Sequence, residues 1–339
     1  MRIHAMTTDR GGCFEHRIAL PLAHLGRRGH DTSYGNGAPA TVLNELANRP
    51  DSVLIGKFIT APQDVAGWQA IAQAPKRPAL MVYDCDDSYW DVQQIAGGER
   101  SVYAIEENLR GSEAVMRAAD LITCTTPTLA ARIQEKIPGV PVVVLPNCVA
   151  DEILDWHVRT PPRKFTIGFQ GSPSHLQDMQ YWLPAFDTVM KSRPGVMWHW
   201  FGLHDPKCWP PHRQRCTPWE NSPEQFHRSL NGKFHVGVAP LHPHLPFNRY
   251  KSGLKAQVYG ALGRPTIASD YPYYGDVIEH GTTGYLCEYP ADWEYYLKWL
   301  IDDPRKAEKM GEAARELEST RTMSKRVHLW EDAYTAHLP

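Results

Sequence analysis

The stretch PPRKFTIGFQGSPSH, residues 161–175, decides the fold of this chain. Its two adjacent prolines favour an extended linker over a helix or an inner strand. The apolar run Phe165–Phe169 then predicts a strand, and Gly171 predicts a tight turn. Ser174 and Gln177 form an S-x-x-Q capping box, which is typical of a helix start. We therefore expect a second α/β domain to begin here, after a linker.

The same alternation of short apolar runs and helical patterns continues in both directions, which predicts parallel sheets with crossover helices. The predicted strands are Arg2–Thr7, His30–Tyr34, Ser52–Phe58, Ala79–Tyr83, Leu121–Cys124, Val142–Leu145, Phe165–Phe169, Val196–Phe201, His235–Leu241, Pro265–Ser269 and Gly284–Cys287. The 339 residues are thus predicted to form two Rossmann-like domains, at 1–158 and 165–320. Ligands of open α/β sheets bind beyond the carboxyl ends of the strands. We expect the site in the loops there, in a cleft between two facing domains.

Composition excludes some function classes. The chain is 42% apolar and 22% charged, and its formal net charge of −2 creates no global field toward DNA or a membrane. The seven cysteines are scattered without a C-x-x-C pair, which is typical of reduced thiols in the cytoplasm. No run approaches the ~20 apolar residues that a membrane span needs. We predict a cytoplasmic protein without a transmembrane segment.

Two loops of the first domain are candidates for chemistry. After the first strand, Gly11 and Gly12 indicate either a tight turn or a close approach of backbone to a ligand, and no G-x-G-x-x-G is present. After the strand Ala79–Tyr83, the carboxylates of Asp84, Asp86 and Asp87 repel one another. They need solvent, cations or donors such as sugar hydroxyls. We expect no metal ion and no cofactor to be required.

Two loops of the second domain indicate an anion site. The helix that begins near Ser174 and His175 would present a partial positive charge, which suits a phosphate. Arg249, Lys251 and Lys255 surround the start of a helix predicted over 251–262, where the dipole disfavours cations. A bound diphosphate would offset that cost.

These motifs resemble those of GT-B glycosyltransferases, above all the bacterial and phage members of the large retaining family four. The similar segments are Ile167–His175, Phe247–Asp270, Asp276–Leu286, Asp84–Asp87, Ala119–Thr123 and Val144–Asn147. The resemblance implies a nucleotide-sugar donor bound by the second domain and an acceptor hydroxyl bound by the first. It also implies retention at the anomeric carbon, and a C-terminal helix at 321–339 that packs back on the first domain.

The candidate loops and the similar segments together give a set of predicted site residues. The predicted catalytic residues are Arg249, Lys251, Asp84, Asp87 and His175, with Asp86 orienting the acceptor or the sugar. The predicted donor-binding residues are Gly11, Gly12, Gly171, Ser172, Ser174, Lys255 and Tyr273. Many relatives carry two glutamates with seven residues between them, and the later one binds the donor ribose. Tyr250 and Val258 occupy those positions here. The donor is therefore held differently, or it is not a common UDP- or GDP-sugar, or activity is lost.

Three other functions stay open. A sugar-nucleotide epimerase would use the same architecture, and a degenerate sugar-nucleotide-binding protein would explain the missing glutamates. An NAD-dependent dehydrogenase is weakly supported, because the glycine fingerprint is absent. The sequence leaves the acceptor open among glycan, lipid, protein and modified DNA, and it does not indicate an oligomeric state.

Overall fold

The structure is a computed structural model that describes residues 1–8, 11–92, 105–202, 208–220 and 222–339. The chain forms two compact units. Unit 1 comprises Met1–Asn147, Arg249–Ser252 and Met323–Pro339, and unit 2 comprises Cys148–Asn248 and Gly253–Thr322.

The passage from unit 1 to unit 2 comes at Asn147, before the predicted boundary at 158. The reason is packing, because Val149 and Ile153 lie in an apolar cluster of unit 2 with Phe226 and Leu230. Buried apolar surface in this cluster therefore binds the start of the expected linker region to unit 2.

The described strands of unit 1 form one parallel sheet in the order β2-β1-β3-β4-β5-β6. The strands are β1 (Arg2–Thr7), β2 (Asp31–Gly35), β3 (Ser52–Lys57), β4 (Leu80–Cys85), β5 (Leu121–Cys124) and β6 (Val142–Val144). Every residue of β3, β4 and β5 is buried. Their near-continuous apolar sequences are typical of strands covered on both faces.

Helices follow the strands of unit 1. They are α1 (Gly12–Phe14), a π-helical turn at Glu15–Ala19, α2 (Leu20–Arg27), α3 (Ala40–Ala47), α4 (Pro62–Gln73), α5 (Glu106–Arg117), α6 (Pro127–Lys136) and, from the C-terminus, α14 (Met323–Arg326) and α15 (His328–His337). Helix α15 is bound within the unit through Glu331, which accepts from Arg28 Nε at 2.7 Å and lies 3.1 Å from His30 Nε2.

The described strands of unit 2 form a second parallel sheet in the order β12-β11-β10-β7-β8-β9. The strands are β7 (Thr166–Gln170), β8 (Met197–Phe201), β9 (Gln214–Thr217), β10 (Val236–Ala239), β11 (Thr266–Ser269) and β12 (Gly284–Cys287). Trp198, Trp200 and Trp293 lie in its core, all fully buried. Large aromatic side chains therefore supply much of the buried apolar area in unit 2.

The helices of unit 2 complete the alternation. They are α7 (Glu152–Asp155), α8 (Leu176–Ser192), α9 (Pro223–Leu230), α10 (Leu254–Ala261), α11 (Pro272–Gly275), α12 (Pro290–Asp302) and α13 (Pro304–Ser319), with 3₁₀ turns at Pro173–His175 and Pro246–Tyr250. The predicted α/β class with two parallel sheets is confirmed.

Three local predictions are wrong. Strand β4 runs through Cys85, so Asp84 lies in the strand rather than after it. Helix α10 begins at Leu254 rather than at Lys251, because Gly253 is its N-cap. The helix predicted to begin at Ser174 begins later, since a 3₁₀ turn at Pro173–His175 precedes α8 and His175 stands at the N-cap of α8.

Candidate functional site

Two carboxylates at the end of β4 lie in a buried ionic cluster of unit 1. Asp84 is 2% exposed, and Arg17 donates to both of its carboxylate oxygens, with 2.7 Å between Nη2 and Oδ2. Thr123 Oγ1 donates to the same Oδ2 at 2.8 Å. Asp86 accepts from Lys57, whose Nζ lies 2.5 Å from Oδ1. Two cations and two carboxylates are thus paired in direct contact.

Burial and pairing act in opposite directions on these charges. Burial disfavours the cationic forms of Arg17 and Lys57, but Asp84 and Asp86 beside them raise the pKa of both groups above its ordinary value. Burial also disfavours the carboxylate of Asp86, but Lys57 keeps the pKa of Asp86 below its ordinary value. Arg17, Lys57 and Asp86 are therefore ionised at neutral pH, and Asp86 can accept a hydrogen bond from a hydroxyl group.

The glycine loop of unit 1 lies beside this cluster. The thiol of Cys13 is hydrogen-bonded to Asp86, whose negative charge raises the pKa of Cys13 well above its ordinary value. Gly11 has a φ of −84°, which other residues adopt readily. A Cβ built on Gly12 would meet no described atom within 4 Å apart from its neighbours in the chain and its own helix backbone. Neither observation makes glycine necessary for the turn, and a ligand approaching this backbone stays a prediction. Asp87 is half-buried in the next loop.

Lys255, His175 and Asp178 form a hydrogen-bonded row in unit 2. Lys255 is the second residue of α10, and its Nζ lies 3.0 Å from His175 Nε2. His175 Nδ1 lies 2.9 Å from Asp178 Oδ2. Because an ammonium group only donates, Nε2 accepts from Lys255 and Nδ1 carries the proton that is donated to Asp178. A neutral imidazole ring thus lies between a cation and a carboxylate.

Asp178 anchors this row. The residue is 3% exposed, and its Oδ1 accepts from the backbone N–H of His242 at 2.8 Å and from Asn248 Nδ2 at 2.7 Å. Together with His175, three donors surround the carboxylate and stabilise its ionised form. The imidazole of His175 is therefore held in one orientation, with Nε2 toward Lys255.

Tyr273 fixes the turn that precedes α10. Its ring is 2% exposed, and its hydroxyl donates to the carbonyl of Asn248 at 2.6 Å. A Cβ on Gly253 would lie 2.9 Å from the carbonyl oxygen of Tyr273 and 2.5 Å from Val277 Cγ2. Glycine is therefore required at the N-cap of α10 by a close backbone approach. The hydroxyl of Tyr273, a predicted donor-binding residue, is bonded within the protein.

The glycine turn after β7 lies close to His175. Gly171 is buried, its N–H donates to the carbonyl of Phe201 at 3.0 Å, and a Cβ there would lie 3.2 Å from His175 Cδ2. Ser172 is exposed. The side chain of Ser174 lies outside the described residues. The predicted catalytic residue His175 and the predicted donor-binding residues Gly171 and Lys255 are thus brought together within unit 2.

Arg249 and Lys251 lie outside α10. Arg249 is exposed in the 3₁₀ turn Pro246–Tyr250, and Lys251 is half-buried before the N-cap. The prediction of three cations at one helix start is therefore wrong, because Lys255 is the one of the three in the first turn. Both residues belong to the segment Arg249–Ser252, which is part of unit 1.

Four functional candidates were not predicted from the sequence: Arg17, Lys57, Asp178 and Asn248. Two of them carried a signal. Lys57 ends an apolar run that becomes β3, where the carboxyl end of a parallel strand favours ligand contacts. Asp178 stands three residues after His175, which is the spacing of neighbours on a helix face.

The two positions that carry glutamates in many relatives have other roles here. Val258 is 1% exposed, in the same apolar cluster as Phe234 and Tyr259. The guanidinium of Arg132 lies 5.7 Å from the ring centroid of Tyr250, within the range of a cation–π contact. Val258 therefore stabilises the core of unit 2 rather than presenting a polar group to a ligand.

A family model covers the segment that begins at this site. Residues 253–317 match the model described as Glycosyl transferases group 1. The match starts at the N-cap Gly253 and includes Lys255 and Tyr273. No curated protein has a significant sequence match to the chain.

Solved structures identify the fold. Sucrose-phosphate synthase from Thermosynechococcus elongatus superposes with a TM-score of 0.68 at 14% identity, over 99% of this chain and 99% of its own. HepE from Anabaena, in complex with UDP, superposes with a TM-score of 0.67 at 14% identity, over 99% and 100%. The chain has the GT-B fold. The predicted resemblance to GT-B glycosyltransferases is confirmed at this level.

A longer protein shares the fold in part. TarM from S. aureus superposes with a TM-score of 0.62 at 13% identity, over 87% of this chain. The chain spans 56% of the length of that protein. The GT-B fold is therefore common to proteins of different length.

Three further findings concern metal ions, membrane-spanning helices and disulfide bonds. Within the part of the chain that the structure describes, no three histidine, cysteine or carboxylate side chains are grouped to hold a metal ion. No described helix combines the length and the apolar character that crossing a membrane requires. None of the seven cysteines forms a disulfide bond in the part of the chain that the structure describes.

Proposed function

We propose that the chain is a glycosyltransferase that moves a sugar from a nucleotide-sugar donor to an acceptor hydroxyl, with retention at the anomeric carbon. The observation that carries this proposal is the row of Lys255, His175 and Asp178 at the start of α10. That row lies at the beginning of the segment matching Glycosyl transferases group 1. A cation at a helix N-terminus, next to an oriented imidazole, is suited to an anionic leaving group.

The leaving group of such a donor is a nucleoside diphosphate, so catalysis mainly requires stabilisation of developing negative charge. Lys255 would donate to a phosphate oxygen, and the backbone N–H groups of the first turn of α10 would add their partial positive charge. His175 would remain oriented by Asp178 beside it. Arg249 and Lys251 are retained in the proposal as further phosphate-binding cations.

The acceptor side of the proposal uses unit 1. Asp86 and Asp87 would orient an acceptor or sugar hydroxyl, and the backbone at Gly11 and Gly12 would approach it closely. Asp84 is buried and bonded to Arg17, so we assign it a positioning role. In a front-face reaction with retention, the leaving phosphate takes the proton of the acceptor hydroxyl. No protein nucleophile is then needed.

The donor is tested first with UDP-sugars, because the HepE structures contain UDP, UDP with glucose, and UDP-glucose. A carboxylate at Val258 is absent, so the ribose of the donor must be held by other groups. We expect UDP to stabilise the protein in a thermal-shift panel of nucleotides and nucleotide sugars.

The decisive variant is Lys255→Ala. Loss of a charge-assisted hydrogen bond weakens binding by about 1.5–3 kcal/mol, so the Kd for UDP should rise about 10- to 100-fold. The matched control is Lys298→Ala, which removes an ammonium that is paired with Glu294 on α12. Calorimetric titration measures both. Equal affinity of wild type and Lys255→Ala for every bound nucleotide would refute the assigned phosphate site.

Turnover distinguishes the proposal from its alternatives. Incubation with UDP-glucose and an acceptor panel should release UDP and form a glycoside whose anomeric configuration, read by NMR, matches that of the donor. Epimerised UDP-sugar without an acceptor would indicate an epimerase instead. Binding without release or transfer across the panel would indicate a sugar-nucleotide-binding protein, as the loss of the carboxylate at Val258 would explain.

A further inference from the structure

Arg17 connects several elements of unit 1 from a π-helical turn. It lies at the centre of Glu15–Ala19, where the wider turn interrupts the regular helical hydrogen bonding. Its side chain is 1% exposed and donates to Asp84, to the carbonyl of Leu145 and, from Nη1, to Asn147 Oδ1 at 3.2 Å. The indole of Trp330 in α15 lies 6.0 Å from the guanidinium carbon. Such a buried, multiply bonded guanidinium has little freedom to move.

Asn147 extends this arrangement to the segment Arg249–Ser252. Since a guanidinium only donates, the bond from Arg17 identifies Oδ1 as the oxygen of the Asn147 amide. The opposite atom, Nδ2, then donates to Ser252 Oγ at 2.9 Å. A continuous series of hydrogen bonds therefore runs from Asp84 through Arg17 and Asn147 to Ser252.

The same segment has a second attachment in unit 1. Tyr250 lies against the guanidinium of Arg132, which in turn donates to Asp91 from Nε at 3.1 Å and from Nη2 at 3.1 Å. Lys251 thus stands between two attached residues, Tyr250 and Ser252. Fixing the residues on both sides restricts the backbone of Lys251.

We propose that Arg17 and Asn147 are positioning residues for the donor site, because they fix Ser252 and thereby the phosphate-binding cations Arg249 and Lys251. This inference rests on the proposed function. Asn147 and Ser252 contact no donor in this scheme. They hold the segment Arg249–Ser252 in one conformation before the donor binds. The entropic cost of ordering this segment then does not weaken donor binding.

The test uses UDP as the probe and Ser252→Ala as the first variant. We expect the Kd for UDP to rise about 5- to 10-fold, while the melting temperature changes by less than about 2 °C, since one partly buried hydrogen bond is lost. Ser252→Thr keeps the hydroxyl and should restore the affinity. The control is Ser229→Ala, which removes a hydroxyl that donates to the carbonyl of Phe226 at 2.7 Å in α9 and should leave the Kd unchanged.

Two double variants distinguish a positioning role from a nonspecific disturbance of the structure. Because Asn147 acts through Ser252, the double variant Asn147→Ala/Ser252→Ala should bind UDP no more weakly than Asn147→Ala. The loss of affinity caused by Lys251→Ala should be smaller in the Ser252→Ala background than in wild type. Additive losses, or wild-type affinity in Ser252→Ala, would overturn the positioning role and leave the donor site intact. Absence of UDP binding by the wild-type protein would overturn the donor site together with this inference.

Discussion

Two sets of buried titratable groups, one in each unit, respond to burial in opposite ways. In unit 1, Arg17 and Lys57 are in direct contact with Asp84 and Asp86, and pairing raises the pKa of both cations despite burial. In unit 2, burial lowers the pKa of His199 and of His235 to about 4 each. Burial likewise raises the pKa of Tyr259 and Tyr274 above the ordinary value, which keeps both phenols protonated.

The difference indicates two uses of polar groups. The cluster of unit 1 combines opposite charges that satisfy one another, and in the proposed function it would hold Asp86 fixed to accept from a hydroxyl group. The row in unit 2 places a neutral imidazole beside Lys255, so that the carboxylate of Asp178 lies behind the ring. In the proposed function, a diphosphate approaching Lys255 would meet the cation before the carboxylate.

The largest expected effect is on the paired charges of unit 1. Asp84→Asn leaves Arg17 buried beside a neutral amide, so we expect the free energy of unfolding to fall by about 3–5 kcal/mol. Chemical denaturation at neutral pH measures this loss.

A double variant that removes both charges tests the same ion pair. Arg17→Met/Asp84→Leu replaces both charges by apolar groups, and it should be more stable than Asp84→Asn. If Asp84→Asn unfolds at the same denaturant concentration as wild type, the pair is not what stabilises unit 1, and the contrast between the units fails.

A smaller effect is expected from the neutral imidazoles of unit 2. His235 Nδ1 accepts the backbone N–H of Thr166 at 3.1 Å, a bond that protonation of that nitrogen would break. The pKa of His235 is about 4 in the folded protein against 6.5 ordinarily, so the unfolded chain binds the extra proton between these values. Stability from this group is complete above pH 6.5 and is lost as the pH falls toward 4.

At ~1.4 kcal/mol per pKa unit, reduced for the partial exposure of the ring, the loss should be about 2 kcal/mol. His235→Asn keeps an acceptor near the position of Nδ1 but does not titrate in this range, so its free energy of unfolding should depend less on pH. His212→Asn, at an exposed histidine, is the control. Parallel pH curves for wild type and His235→Asn would show that unit 2 does not depend on a neutral ring at this position.

The sequence predicted the sheets better than the polar contacts. Apolar runs such as Ser52–Phe58 mark strands buried on both faces, and this signal is local, so eleven of the described strands were predicted with small errors at their ends. Strand β9 was not predicted, because its sequence QRCT contains no apolar run. The error at α10 has a steric cause. Gly253 is the N-cap because Tyr273 and Val277 approach it closely, and no pattern near residue 253 indicates that contact.

Only part of the candidate site was predicted, because local patterns do not show which distant residues are in contact. His175 and Lys255 were identified from their places at helix starts, although one stands 80 residues from the other. The partners of Asp84 and Asp86 were missed, because Arg17 and Lys57 reach them only through the order of the strands in the sheet. Pairing between distant residues depends on topology, which composition and spacing do not specify.

The smallest expected effect tests how burial changes the stability that an ion pair contributes. Arg193 and Asp302 form a two-pronged ion pair in unit 2, with 2.7 Å between Nη2 and Oδ2, the same distance as between Arg17 and Asp84. The side chains are 34% and 55% exposed in the first pair and 1% and 3% in the second.

Solvent screens the exposed pair, so Asp302→Asn should change the free energy of unfolding by less than about 1 kcal/mol. The measurement is chemical denaturation at low and at high salt, where the small difference should shrink further. Because the Nη2–Oδ2 distance is the same in both pairs and exposure differs, equal losses in Asp302→Asn and Asp84→Asn would mean that burial does not set the stability contributed by such a pair. A loss confined to Asp84→Asn would assign that contribution to the interior of unit 1.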